Sequence, residues 1–128
     1  TALLKTEVFK GAIALKSTVN DLLKFLDYQL KEGQEPLREV IQSMHGNKMK
    51  TPIKKVKSGL AWHHIKPKKR YFSFIAHSGA TDGHQVYICF MKETRTAVVV
   101  MANSKHDLNG LGSYLLKMMN NNWKRKNP

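Results

Sequence analysis

The run Thr96-Ala-Val-Val-Val-Met-Ala102 constrains this chain more than any other. Consecutive β-branched residues favour a strand. A strand with apolar residues at successive positions is apolar on both faces, so its sheet needs cover on both sides. A second apolar run, residues 86–91, precedes it. The intervening Lys92-Glu-Thr-Arg95 is short enough for a hairpin turn. Further upstream, residues 71–76 alternate, with Phe72, Phe74 and Ala76 on one face, and residues 59–65 read as another strand.

Helical patterns supply the cover. Thr18 can cap a helix whose first turn holds Asp21 and whose apolar positions are Val19, Leu22, Leu23, Leu26 and Leu30. Gly33 reads as its stop. Pro36 fits the first turn of a second, short helix with Leu37, Val40, Ile41 and Met44 on one face. A last helix follows Asp107, with Leu108, Leu111, Leu115, Met118 and Met119 as its apolar face. Residues 45–57 lack periodicity and read as a loop. The expected class is α+β, an antiparallel sheet of about four strands flanked by helices. The chain has 128 residues, which suits one unit, 1–128.

Charge and cysteine content narrow the function. Lys and Arg number 22 against nine Asp and Glu, a net charge of +13. Residues 40–81 hold no acid, while Lys48, Lys50, Lys54, Lys55, Lys57, Lys66, Lys68, Lys69 and Arg70 fall within them. Such a field attracts polyanions, and the region 48–70 is a candidate surface for one, nucleic acid included. Solvated basic loops account for the same residues. The single cysteine, Cys89, excludes an internal disulfide and a multi-cysteine metal cluster; inside an apolar run it reads as a buried, inert thiol. The first residues form no signal peptide and there is no initiator Met, so the chain is expected to derive from something longer.

Six histidines invite a metal reading, yet none is expected. His77 and His84 are seven apart across a Gly-containing turn, and the adjacent His63 and His64 point to opposite faces of a strand. The segment His77-Ser-Gly-Ala-Thr-Asp-Gly-His84 reads as turn-like. It lacks the Gly-Lys-Ser/Thr ending of a phosphate loop, and no Gly-x-Ser-x-Gly elbow occurs. No cofactor is expected.

Four pieces in order carry a sharper signal. These are Ser17-Thr-Val-Asn-Asp-Leu-Leu-Lys-Phe25, Gly59-Leu-Ala-Trp62, His77-Ser78-Gly79, and Val98-Val-Val-Met-Ala-Asn103. Together they resemble the C-terminal part of the serine β-lactamase and penicillin-binding protein superfamily, in its class C β-lactamase, D-alanyl-D-alanine carboxypeptidase and esterase branch. Ala61 departs from the pattern, which has Gly before the Trp, and the basic 45–57 segment has no counterpart.

The resemblance implies a partial β-lactamase/transpeptidase-like fold. It also implies a site bordered by His77, Ser78, Gly79 and Ala80. His77 would be a polar neighbour of the nucleophile, Ser78 a ligand of the substrate carboxylate, and Gly79 the point of close backbone approach. The Ala80 N–H would form half of an oxyanion hole. An ordinary strand end with turn chemistry also accounts for the triplet.

The superfamily's attacking serine sits in Ser-x-x-Lys, and its second motif is Tyr-x-Asn or Ser-x-Asn. No serine here has Lys three positions on, and no tyrosine or serine fits the second motif. The chain is therefore expected to be the last portion of a larger catalytic domain and to be inactive alone. Its expected partners are the missing N-terminal part and a peptidoglycan-type peptide, β-lactam or ester substrate. A second copy of the chain is a further expected partner. The resemblance implies a periplasmic or extracellular bacterial setting. A small basic polyanion-binding domain without catalysis is the alternative, and a noncatalytic scaffold descended from the hydrolase fold is a third reading.

Overall fold

A computed structural model describes residues 15–32, 35–66 and 73–126. Helices α1 (Val19–Leu30) and α2 (Arg38–Gly46) come first. Strands β1 (Met49–Lys50), β2 (Val56–Ser58), β3 (His63–Ile65), β4 (Phe74–Thr81), β5 (His84–Met91) and β6 (Thr96–Ala102) follow, then helix α3 (Asn109–Lys126). The strands form one antiparallel sheet in chain order. The α+β class is as expected.

The sheet has six strands rather than four. The extra two, β1 and β2, arise inside the 45–57 segment that reads as a loop. They are two and three residues long, with Lys50 opposite Lys57. Backbone pairing makes them, so hydrophobic alternation cannot announce them.

Both faces of the sheet are covered, as the Thr96–Ala102 run requires. On one face Phe74, Ala76, Tyr87, Cys89, Met91 and Val98 pack with Leu108 and Leu116 of the C-terminal segment. On the other, Ile75, Ile88 and Phe90 pack with Leu26 of α1 and Trp62. The alternation of β4 and β5 thus feeds two cores. Cys89 is fully buried, and burial pushes its thiol up to about 12.

Helix α3 buries a different line from the predicted one. Leu108 and Leu116 are buried with Gly112 and Asn120 on the same line, whereas Leu111, Leu115, Met118 and Met119 are exposed. The reason is Gly112. A Cβ there would lie 2.1 Å from a ring carbon of Tyr87, so the helix can approach the sheet only along its glycine. Asn120 fixes the line by donating from Nδ2 to Thr96 Oγ1 at 2.8 Å.

At the other termini local chemistry decides. Thr18 Oγ1 accepts from the Asp21 N–H at 3.2 Å, as a cap should. Glu32, with φ of 59°, takes the left-handed position at the end of α1; the expected stop, Gly33, lies outside the described residues. Helix α2 starts at Arg38, two residues past Pro36. Asp107 accepts from the Asn109 N–H at 3.1 Å just before α3. Tyr71 and Phe72 also lie outside the described residues.

Candidate active-site edge

Residues 77–81 extend β4 and are not a turn. Thr81 pairs with His84, so only Asp82 and Gly83 turn the chain, Gly83 at φ of +88°. The reversal needs that one glycine, and the turn-type residues before it stay in the strand.

Strand β3 ends opposite β4 at the pair His63–Ala76. Beyond Ala76, β4 keeps β5 on one side, and among the described residues has no strand on the other. Peptide groups of an antiparallel strand alternate between its two sides. Thr81 and His84 flank a two-residue loop and so face each other. Counting back, Gly79 and His77 also face β5. Ala80 and Ser78 therefore present their N–H and C=O groups to the open side, in line with Ala76, which finds β3 there.

The side chains change character at the same point. Phe74, Ile75 and Ala76 are buried, while His77, Ser78, Gly79, Ala80 and Thr81 are exposed. Nothing lies within 4 Å of a Cβ built on Gly79. The sheet margin thus carries an imidazole, a hydroxyl, a residue with no side chain and an outward peptide in sequence.

A packed aromatic base supports this edge. The Trp62 ring is buried and meets Phe90 edge-on at 5.2 Å, with Phe25 stacked at 6.2 Å. His77 meets Trp62 edge-on at 6.4 Å, and the His63 ring stacks on His77 at 6.1 Å. Trp62 is delivered by a tight turn in which the Gly59 N–H donates to the Trp62 carbonyl at 2.7 Å. Ala61, where the family pattern has Gly, sits in that turn at φ of 61°. A Cβ in this left-handed region costs about 1–2 kcal/mol.

Sequence reading placed the four edge residues together and missed their neighbours. His63 and Trp62 join them because β3 pairs with β4; pairing the 59–65 run against the 71–76 run would have revealed it. His64 turns away from the edge. A Cβ on Gly59 would lie 2.9 Å from its Nε2 and 3.0 Å from the Met44 carbonyl, so the glycine permits this contact. Burial, aided by Lys48, lowers His64 to about 4. His45 is likewise lowered to about 4 by burial, aided by Lys92, and its Nε2 lies 2.8 Å from Gln29 Oε1. Both rings are neutral near pH 7, with the His45 Nε2–H donating to Gln29.

Comparison with known proteins places the edge in context. The beta-lactamase family pattern matches residues 2–114. Among solved structures, a class C beta-lactamase superposes with a TM-score of 0.77 at 15% sequence identity, over 94% of this chain and 40% of that chain. At that identity the likeness is one of fold. The chain spans two fifths of the length of that enzyme. No curated protein matches the chain in sequence.

Proposed function

Because this chain belongs to the beta-lactamase family, we propose that it supplies one wall of an acyl-serine hydrolase site whose nucleophile lies in polypeptide upstream of it. The observation that carries this reading is the open margin of β4. Ser78 and Ala80 direct peptide groups there, and Gly79 leaves the approach clear.

The chemistry follows from those groups. A serine hydroxyl from the rest of the domain attacks an amide, lactam or ester carbonyl, and negative charge builds on the carbonyl oxygen. The Ala80 N–H, held by the strand, donates to that oxygen. One such fixed donor is worth about 3–4 kcal/mol in the transition state. The Ser78 hydroxyl binds the substrate carboxylate. His77, braced by Trp62 and His63, stands beside the attacking group. The intermediate collapses with breakage of the carbonyl's C–N or C–O bond, the amine or alcohol takes the serine's proton, and water then adds to the acyl-serine ester, releasing the acid and restoring the serine hydroxyl. The substrate class is a β-lactam, a D-alanyl peptide or an ester, handled outside the cytoplasm of a bacterium.

Alone, the chain has no attacking serine and does not turn over. Its bare apolar stripe on α3, Leu111, Leu115 and Met118, is a face for the remaining polypeptide. Without that polypeptide the chain pairs with a second copy. Light scattering of the isolated chain checks this, and a clean monomer contradicts it.

Gly79→Ala in the full-length protein tests the site. The added methyl meets nothing in the chain itself. The melting temperature should therefore hold, while turnover of a chromogenic β-lactam or ester falls at least tenfold. Unchanged turnover contradicts the proposal.

A further inference from the structure

A second concave feature lies at the opposite end of β4 from the His77–Ala80 edge. It is a cleft of about 500 Å³ between the β1–β2 hairpin, the start of β4 and the end of β5. Its size falls within the range of small-molecule sites. Ile53, Val56 and Ile65, exposed or half-buried, give it an accessible apolar floor, and Lys48, Lys50, Lys54, Lys55, Lys57 and Lys66 surround it. None of these six lysines is in an ion pair with an acid among the described residues. Glu93 is the sole acid in the lining. His45 also lines the cleft; it is 4% exposed, and its Nδ1 has no hydrogen-bond partner.

We propose that this cleft binds a free anionic amphiphile, a small molecule with an apolar body and a phosphate or carboxylate head. The apolar body covers the floor, and the head is held by the rim lysines. The inference is independent of the acyl-serine reading, since it rests on Ile53, Val56, Ile65 and the rim lysines, which that reading does not use.

Two physical arguments select this occupant. Clustered like charges without counter-charges raise a positive potential, and a concave, low-dielectric wall focuses it. The lining histidines add no charge, since burial and the nearby lysines keep His45 and His64 neutral. An anion is therefore favoured at the rim and an apolar group below it. A nucleic-acid strand would need exposed aromatic faces for its bases. Phe74 and Phe90, the phenylalanines in the lining, are 4% and 0% exposed, so they offer no such faces. A flat lipid surface would meet the rim and leave the floor empty.

The test is a titration of the full-length protein with octyl phosphate below its micelle concentration, followed by amide NMR shifts and calorimetry. Inorganic phosphate and octyl glucoside serve as half-ligands. The expected result is saturable one-to-one binding, at least tenfold tighter than either half-ligand, with shifts at Ile53, Val56 and Ile65. The double variant K54E/K57E should weaken it at least tenfold, and the milder K54Q/K57Q by a smaller factor in the same direction. Lys24→Glu, on α1, should leave it within twofold. Affinity no better than inorganic phosphate overturns the proposal, as does affinity unmoved by both lysine pairs. Adsorption to phosphatidylglycerol vesicles, or binding of heparin at these residues, overturns it if monomeric octyl phosphate does not bind.

Discussion

The two halves of β4 share one strand, one partner in β5 and one backbone geometry, yet they live in different surroundings. Phe74, Ile75 and Ala76 are flanked by β3 and β5 and sealed between two cores. Among the described residues, His77 to Thr81 pair with β5 alone and stand exposed. The buried half holds the domain together. Among the described residues no strand pairs with the outer side of the open half, an arrangement that makes physical sense when something else completes it.

The contrast can be broken most forcefully in the buried half. Phe74→Ala should cost about 3–5 kcal/mol, as for other buried aromatic truncations, while Ser78→Ala should stay within about 0.5 kcal/mol. Chemical denaturation of the two variants measures both. Comparable losses would erase the distinction. Gly112→Ala, where α3 meets β5, should cost about 1–3 kcal/mol, because its methyl would collide with the Tyr87 ring. A tolerated alanine there would mean that α3 does not sit on this line.

Acid sharpens the contrast further. His45 and His64 have folded values of about 4 against an ordinary 6.5. The unfolded chain therefore binds more protons than the folded one between these values. Stability is full above pH 6.5 and declines as pH falls towards 4, by roughly 3 kcal/mol for buried His45 and by less for the partly exposed His64. Melting temperatures across that window check it, and a flat profile contradicts it. A gain in stability is expected at the turn beneath the open half. Ala61→Gly relieves a left-handed alanine and should add about 1 kcal/mol, readable as a rise in melting temperature.

Much of this was legible in the chain. The doubly apolar Thr96–Ala102 run required a sheet covered on both faces, and the fold provides it with α1 and α3. Helix caps such as Thr18 could be read because they act over three residues. What escaped had a non-local cause. The face of α3 depends on Gly112 meeting Tyr87, twenty-five residues earlier in the chain, and the largest side chains misled the reading. Strands β1 and β2 are too short and too rich in lysine to show a pattern. The 77–84 segment has turn-type composition throughout, yet only Asp82 and Gly83 turn, because Thr81 still pairs across to His84. At the edge, the order His77-Ser78-Gly79-Ala80 was readable by resemblance, whereas the bracing by Trp62 and His63 needed the strand register.

The central claim is that the open half of β4 borders a site whose attacking hydroxyl lies elsewhere in the protein. Intact-mass and peptide-mass analysis of the full-length protein, quenched during reaction with a slowly hydrolysed β-lactam, tests it most directly. The account predicts a single covalent acyl adduct on a serine upstream of Thr1, diminished when Gly79 is replaced by Ala. An adduct on any of this chain's own serines, or an upstream adduct indifferent to Gly79→Ala, would contradict it.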